Sequence, residues 1–158
     1  MSWSRTAAFP NLSDWKELQM SLKILSVFDS KRATAWVASA LSNHQLVQVE
    51  TIMSAMQVLQ KDKIDVTLVQ LHLQNESLFD LLRSIRRNDY YRAMSFICCD
   101  TSDTLNGNHR PLIQAEFVEK SCLLYGATKV ISADKFYSED FESEILETVL
   151  KPGSLSGT

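Results

Sequence analysis

The stretch KIDVTLVQLHLQNESLFDLLRSIR, residues 63–86, decides the fold of this chain. It contains an apolar strand from Val66 to Leu71, which is followed by a polar turn. A helix comes next, because apolar residues then recur at helical spacing: Leu78, Leu81, Leu82 and Ile85. A strand followed directly by an amphipathic helix is the repeating unit of a parallel α/β sheet. We therefore expect further units of this kind on both sides of the stretch.

The same alternation of strand and helix runs through the chain from residue 22 onward. Four more strands are predicted, at residues 22–28, 46–50, 94–99 and 128–132. The strand MSFICC contains no charged residue, as is typical of a strand that is covered on both faces. A helix is predicted after each strand, and the last one should run from Ser138 to Leu150. The pattern thus predicts an α/β fold with a doubly wound, five-stranded parallel sheet in (βα)₅ order.

The ends of two helices carry further signals. Asp29 directly precedes the first helix, where an acidic side chain favours an N-cap role. Pro111 suits the first turn of the fourth helix, and Gly126 suits its C-terminal stop. The buried face of that helix is predicted to carry three apolar residues: Ile113, Phe117 and Leu124.

The chain divides into three parts by its pattern. Residues 1–21 lack strand-like alternation and are interrupted by Pro10, so they are predicted to form an extension with a short helix. Residues 22–151 form the α/β domain, and residues 152–158 are small and polar, like a linker or tail. Trp3 and Trp15 in the extension favour either a flap packed on the domain or a dimerisation arm.

Composition excludes several classes of function. The chain has 158 residues, a formal net charge of −3 and no dense cluster of Lys and Arg, so direct binding to nucleic acid is not expected. No apolar run reaches the roughly 20 residues that span a bilayer, and the N-terminus does not resemble a secretory signal. We therefore expect a cytoplasmic protein without membrane insertion. Its three cysteines, Cys98, Cys99 and Cys122, show no C-x-x-C spacing and are expected to be buried thiols.

Two segments resemble a known family. DVTLVQLHLQNESLFDLLRSIR, from Asp65 to Arg86, is similar to the pattern D-x₄-D-x₂-M-P-x₃-G-x₆-I-R of bacterial response-regulator receiver domains, the family of the chemotaxis protein CheY. GATKVIS, residues 126–132, is similar to the G-A-x-x-Y-[LIV]-x segment of the same family. The resemblance covers roughly residues 22–150 and implies the CheY and flavodoxin-like strand order.

The resemblance also implies a phosphorylation site at the carboxyl ends of the strands, but this chain departs from the family there. The family's acidic pair, which holds Mg²⁺, corresponds to Phe28 and Asp29. The phospho-accepting aspartate corresponds to Gln70, whose amide lacks the nucleophilic carboxylate. This implies a pocket that no longer accepts phosphate.

The remaining family positions are also altered. The Thr or Ser after the fourth strand corresponds to Asp100 or Cys99, with Thr101 one residue later. The family lysine corresponds to Ala133 or, with one inserted residue, to Lys135, which either neutralises an acid of the pocket or is an ordinary loop residue. No catalytic residue or cofactor is expected, apart from a weak Mg²⁺ site shared by Asp29 and Asp100.

The resemblance therefore implies a pseudo-receiver, a non-enzymatic module that binds a protein partner or forms a homodimer. Its candidate interface lies on the N-terminal extension, at Trp3 and Trp15, or on the fourth helix, the fifth strand and the fifth helix, with Lys129 and Val130 in the fifth strand. Such a domain is expected at the N-terminus of a longer protein of bacterial signal transduction. The effector would be a transcription factor, a cyclic-dinucleotide enzyme or a pilus-assembly ATPase of the TadZ/CpaE type.

Two other readings of the sequence predict different chemistry. A conventional phosphorylated receiver requires another acceptor near the third strand, and the nearest downstream acids are Glu76 and Asp80. A flavodoxin-like cofactor protein requires a glycine-rich phosphate loop, whereas FDSKRATAW after the first strand has no glycine.

The long loop from Asp100 to Arg110 is predicted to cover the altered pocket.

Overall fold

The computed structural model describes residues 21–74, 76–102 and 112–150, and the side chains of residues 112–115 are outside that description. Several sequence predictions therefore concern residues that are not described. These are the N-terminal extension with Trp3 and Trp15, the loop up to Arg110, the position of Pro111, the side chain of Ile113 and the tail at 152–158.

Five parallel strands form one sheet in the order β2-β1-β3-β4-β5. This arrangement confirms the predicted α/β fold. Both ends of every observed strand lie within one residue of their predicted places, and β1 and β5 are one residue shorter than predicted at each end. The strands are β1 (Lys23–Val27), β2 (Gln45–Val49), β3 (Val66–Gln70), β4 (Ser95–Cys99) and β5 (Lys129–Ile131).

The described residues contain six helices, one more than predicted from the pattern after residue 22. The additional one is the single turn Ala133–Phe136, and the last helix consequently begins at Phe141 and not at Ser138. One four-residue turn has no helical period to read, which explains the difference. The helices are α1 (Lys31–Ala40), α2 (Ile52–Lys61), α3 (Leu78–Arg87), α4 (Leu112–Leu124), α5 (Ala133–Phe136) and α6 (Phe141–Leu150). None of the helices in this part of the chain is long and apolar enough to cross a membrane.

The sheet is covered by helices on both faces, and burial is most complete in its interior strands. All residues of β3 and β4 are buried, although successive side chains point to opposite faces. Cys98 packs in the cluster beside α2, α3 and α4, whereas Cys99 packs in the cluster beside α1 and α6. The uninterrupted apolar character of these strands follows from this double cover.

Serine and threonine residues cap the first two helices. Ser30 caps α1 by accepting a hydrogen bond from the backbone N–H of Ala33 at 3.2 Å. Thr51 caps α2 in the same way through Ser54 N–H at 3.1 Å. The prediction that Asp29 caps α1 is therefore wrong, because its carboxylate is used elsewhere.

Gly126 ends α4, as predicted. Its φ of +110° lies in a region that side chains with a Cβ rarely adopt. The N–H of Ala127 donates to the carbonyl of Cys122 at 2.9 Å, and Gly126 N–H donates to Leu123 at 3.1 Å. This pair of bonds is the Schellman arrangement, which satisfies carbonyls left open at a helix end.

The predicted buried face of α4 is wrong. Phe117 is 69% exposed and Leu124 is 84% exposed. The face that packs on the core carries Cys122, which is buried, and Val118, which is half-buried. Helical spacing alone predicted a single face, but α4 has apolar residues on two sides and only one of them meets the sheet.

Candidate functional site at the carboxyl ends of the strands

The candidate pocket residues gather where parallel strands end at one edge of the sheet. Phe28 and Asp29 follow β1, Gln70 ends β3 and Asp100 follows β4. Backbone bonds continue the sheet at this edge, since Phe28 N–H donates to Val49 at 3.1 Å and Asp100 N–H donates to Ile131 at 3.0 Å. The backbone thus holds these residues in fixed positions.

Gln70 is at the centre of this edge, and its side chain makes four hydrogen bonds. The carbonyl oxygen Oε1 accepts from the backbone N–H groups of Asp29 and Ser30, both at 3.1 Å. The amide nitrogen Nε2 donates to Asp29 Oδ1 at 2.6 Å and to the backbone carbonyl of His72 at 2.8 Å. Two acceptor sites and two donors are all that an amide offers, and Gln70 is only 5% exposed. Its polar groups are therefore fully used within the protein.

Asp29 is held by the same network. Its Oδ1 accepts from Gln70 Nε2, and its Oδ2 accepts from the backbone N–H of Gln74 at 2.7 Å. The carboxylate thus joins the end of β1 to the loop after β3. This role replaces the N-cap role predicted from the sequence.

The donor set of this pocket does not fit a divalent cation. Mg²⁺ requires several oxygen ligands, but the atom that faces Asp29 Oδ1 is the amide nitrogen of Gln70, which is a donor. Within residues 21–74, 76–102 and 112–150, no group of three His, Cys, Asp or Glu residues could hold a metal ion. The expected weak Mg²⁺ site at Asp29 and Asp100 is not supported by this arrangement.

Phe28, at the other position of the family's acidic pair, is turned into the apolar core. It is 1% exposed and stacks on Phe136 of α5 at a centroid distance of 5.7 Å. Phe136 in turn packs edge-on against Phe141 at 4.8 Å. Trp36 of α1 donates from Nε1 to the carbonyl of Phe136 at 2.5 Å. These aromatic rings form an apolar cluster beside the pocket.

The segment after β4 closes on itself and on α5. Asp100 Oδ1 accepts from Ser102 N–H at 2.9 Å and from Ser102 Oγ at 2.6 Å. The hydroxyl of Tyr137 donates to the carbonyl of Thr101 at 3.2 Å. The hydroxyl that bonds the Asp100 carboxylate therefore belongs to Ser102, which sequence reasoning did not single out.

Lys135 lies in α5, and its ion pair faces α6. Its Nζ is 3.6 Å from Glu144 Oε2, while Lys129 Nζ is 2.7 Å from Glu144 Oε1. The hydrogen bond from Lys129 and the charges of both lysines lower the pKa of Glu144. The Lys135 side chain is 57% exposed. Ala133, the other candidate for the family lysine position, is the first residue of α5 and carries no charge. Lys129 and Val130 of β5 are both half-buried.

The two alternative phospho-acceptors, Glu76 and Asp80, both have partners within the protein. Glu76 accepts from the backbone N–H of Ile52 through Oε1 at 3.1 Å and Oε2 at 3.3 Å, at the start of α2. Asp80 forms an exposed ion pair with Arg83 at 3.0 Å on α3. The Glu76 contact favours an anchoring role at a helix N-terminus.

Two structurally important residues were missed by sequence reasoning. His44 accepts from Leu22 N–H through Nδ1 at 3.0 Å and bonds Glu142 through Nε2 at 2.8 Å. Arg86 donates to the carbonyl of Met94 at 2.8 Å and to that of Gly126 at 3.0 and 2.7 Å. Their partners are distant in sequence, so no local pattern could have identified them.

Comparison with known proteins supports the fold. No family model matches the sequence, and no curated protein matches it significantly. Among solved structures, the chemotaxis response regulator CheY4 of Vibrio cholerae superposes with a TM-score of 0.63 at 18% identity, covering 82% of this chain and 98% of that one. The receiver domain of a histidine kinase from Syntrophus aciditrophicus gives a TM-score of 0.62 at 18% identity, covering 87% and 92%. NtrX from Brucella abortus gives 0.66 at 18% identity, covering 87% of this chain and 29% of that one. The chain therefore has the fold of receiver domains.

Proposed function

We propose that this chain is a pseudo-receiver, a non-enzymatic interaction module of two-component signalling that does not accept phosphate. The observation that carries the proposal is the four hydrogen bonds of Gln70. An aspartyl phosphate forms on a carboxylate nucleophile, which an amide does not provide. The amide is also buried and fully bonded, so its place is structural.

The neighbouring positions support the same proposal. A phosphoryl group carries charge that a cation or lysine neutralises in a receiver, but here Phe28 supplies a buried ring and Lys135 pairs with Glu144. The carboxylate of Asp29 accepts hydrogen bonds from the chain itself on both oxygens. Phosphate entry would require these bonds to break without new charge compensation.

We propose that binding uses the outer face of α4, defined here by Phe117, Leu124 and Tyr125. All three are more than 60% exposed. Tyr125 also packs against Phe79 of α3 at a centroid distance of 5.0 Å, which extends the apolar surface toward α3. Large apolar side chains clustered on a surface are typical of protein interfaces. α4 packs against β5, the strand that carries Lys129 and Val130, which were the interface positions expected from the sequence.

The proposed partner is a second copy of the chain, and the output is a protein that the module regulates. NtrX matches over 29% of its length, so the same fold occurs there as one part of a larger protein. A transcription factor, a cyclic-dinucleotide enzyme or a pilus-assembly ATPase of the TadZ/CpaE type remains our proposed effector, in the cytoplasm.

Sedimentation of the full chain over a wide concentration range tests this proposal. We expect a reversible dimer whose dissociation constant does not change with beryllofluoride and Mg²⁺. The double variant F117Q/L124Q should weaken association at least tenfold, because it removes exposed apolar area from the interface. Met53→Gln is the matched control, since Met53 is 70% exposed on α2, away from this face. A chain that is monomeric throughout, or that dimerises only with beryllofluoride, would contradict the proposal.

A further inference from the structure

A groove with a volume of about 210 Å³ lies between α2 and α3. Its apolar lining combines half-buried side chains of α2 with buried side chains of α3 and of the turn after it: Met56, Leu59, Leu81, Ile85 and Tyr91. The other lining residues, Gln60, Ser84 and Asn88, are polar and exposed. An apolar cavity of about 150 Å³ takes up one benzene molecule, so this groove has room for one large aromatic side chain.

The groove lies at the edge of the sheet where the described part of the chain begins. Each helix of a parallel sheet runs antiparallel to the strands, so its last turn lies beside their amino ends. Leu59 and Gln60 belong to the last turn of α2, and Ser84 and Ile85 belong to the last turn of α3. Lys23 begins β1 at the same edge. Residues 1–20 are therefore connected to the domain at the edge where the groove lies.

Direct contacts link the start of β1 to the groove. Lys23 Nζ lies 3.8 Å from Asp62 Oδ2, and the backbone N–H of Lys23 donates to Asp65 Oδ2 at 2.8 Å. The hydroxyl of Tyr91, which lines the groove, donates to the backbone carbonyl of Asp62 at 2.5 Å. Asp62 thus contacts both the first residue of β1 and a residue of the groove.

Trp15 is the aromatic residue nearest in sequence to β1 among those that precede this strand. Six residues separate it from Leu22. A segment of that length spans roughly 10 Å as a helix and roughly 24 Å when it is extended. Trp3 lies twelve residues further from β1, and the closure of a longer loop costs more entropy. Trp15 is therefore the better placed of the two tryptophans to reach the groove.

We propose that the groove binds residues 1–20 of its own chain, with the indole ring of Trp15 as the inserted group. An indole ring buries a large apolar area, and it packs favourably against a thioether such as that of Met56 and a ring such as that of Tyr91. Because the segment is tethered beside the groove, its effective concentration there is high.

This proposal selects one of the two roles that the sequence predicts for the extension, the flap packed on the domain. It goes beyond the proposed function and does not depend on it, because the groove lies on α2 and α3 and the proposed interface lies on α4.

Nuclear magnetic resonance of the full chain with isotope-labelled methionine methyl groups tests the proposal. We expect a nuclear Overhauser effect between the Met56 methyl group and the indole of Trp15. Trp15→Ala should abolish this effect and shift the Met56 signal, because the aromatic ring no longer lies beside the methyl group. Met53 is the matched control, since it lies on the same helix and is 70% exposed, and its signal should stay in place. Trp3→Ala should leave the Met56 signal unchanged.

The unaltered chain decides the question even if Trp15→Ala folds poorly, because the Overhauser effect requires no variant. A mixture of labelled Trp15→Ala with unlabelled, unaltered chain shows whether the contact forms between two copies. We expect no Overhauser effect from Trp15 to the labelled Met56 in this mixture. Its presence there would assign the segment to a second copy and overturn the proposal. The proposal would also be overturned by the absence of the effect in the unaltered chain, or by a Met56 signal that responds only to Trp3→Ala.

Discussion

The polar side chains of the strand-end pocket have partners within the protein, whereas the apolar side chains on the outer face of α4 are exposed to water. In the pocket, Gln70 makes four hydrogen bonds within the chain and Asp29 accepts on both carboxylate oxygens. On α4, Phe117 and Leu124 place apolar groups in water. The pocket therefore gains nothing from a polar ligand, whereas the α4 face gains by covering apolar surface. The difference supports our proposal that binding uses the outer face of α4 and not the strand-end pocket.

The largest expected effect comes from a variant that removes the hydrogen bonds of the pocket. Gln70→Ala leaves the N–H groups of Asp29 and Ser30 without their acceptor and removes a donor from the Asp29 carboxylate. Unsatisfied buried polar groups cost about 1–3 kcal/mol each, so we expect a loss of about 3 kcal/mol in the free energy of unfolding. Urea denaturation measures this loss. Gln57→Ala on the exposed side of α2 is the matched control and should change stability by less than about 0.5 kcal/mol.

If Gln70→Ala were as mild as its control, the pocket network would not be a structural element. The comparison between a satisfied pocket and an unsatisfied α4 face would then lose its physical basis.

The next effect concerns the end of α4 that supports its exposed face. Gly126→Ala must hold a φ of +110° and bring its Cβ within 3.3 Å of Arg86 Cγ. We expect a loss of about 1–2 kcal/mol in the free energy of unfolding from the backbone strain alone. Thermal unfolding of Gly126→Ala beside Lys120→Ala, an exposed change on the same helix, gives the measurement. Equal stability of the two variants would show that the Schellman end does not position α4.

A third variant tests the ion pair that Lys135 forms with α6 beside the pocket. Glu144→Gln removes the carboxylate that pairs with Lys129 and Lys135, and we expect a loss of about 1 kcal/mol at neutral pH. Because the pKa of Glu144 is lowered in the folded state, its contribution is present above the ordinary glutamate pKa. That contribution disappears as the pH falls through the lowered, folded-state pKa.

Denaturation of Glu144→Gln and of the exposed control Glu139→Gln at a series of pH values measures this dependence. The difference between the two should shrink in acid. A difference in the free energy of unfolding that stayed constant with pH would mean that the ion pairs of Glu144 with Lys129 and Lys135 do not stabilise the fold.

The smallest expected effect on folding is on the α4 face itself. Leu124→Gln should change the free energy of unfolding by less than about 0.5 kcal/mol, because the side chain is already 84% exposed. Urea denaturation below the dimerisation range isolates folding from association. A loss comparable to that of Gln70→Ala would show that Leu124 packs within the chain, and the α4 face would no longer contrast with the pocket.

The sequence predicted the fold because its signals are local and repeated. Alternating apolar strands and amphipathic helices are visible in β3 and α3 without knowledge of distant contacts. The glutamine at the position that the resemblance assigns to the acceptor, Gln70, was equally visible, since only residue identity was needed. Even the stop at Gly126 follows from a backbone preference that one residue reveals.

The contacts of the site were harder to predict because they join distant segments. Asp29 looked like a cap, but its partners Gln70 and Gln74 come from another strand end, and Ser30 one residue later caps α1. The face of α4 depended on which of two apolar sides meets the sheet, which its periodicity does not encode. Arg86 and His44 bond carbonyl, amide and carboxylate groups far along the chain, so their roles are visible only in the folded structure.

The most direct test of the central claim is a titration with beryllofluoride and Mg²⁺, followed by amide chemical shifts. Beryllofluoride mimics a phosphoryl group on an aspartate, so an active receiver domain serves as the positive control. We predict no saturable shift at Asp29, Gln70 or Asp100, because the amide of Gln70 occupies the site and its bonds are complete. Saturable shifts at these residues would contradict the account, since they would show a pocket that still binds a phosphate mimic.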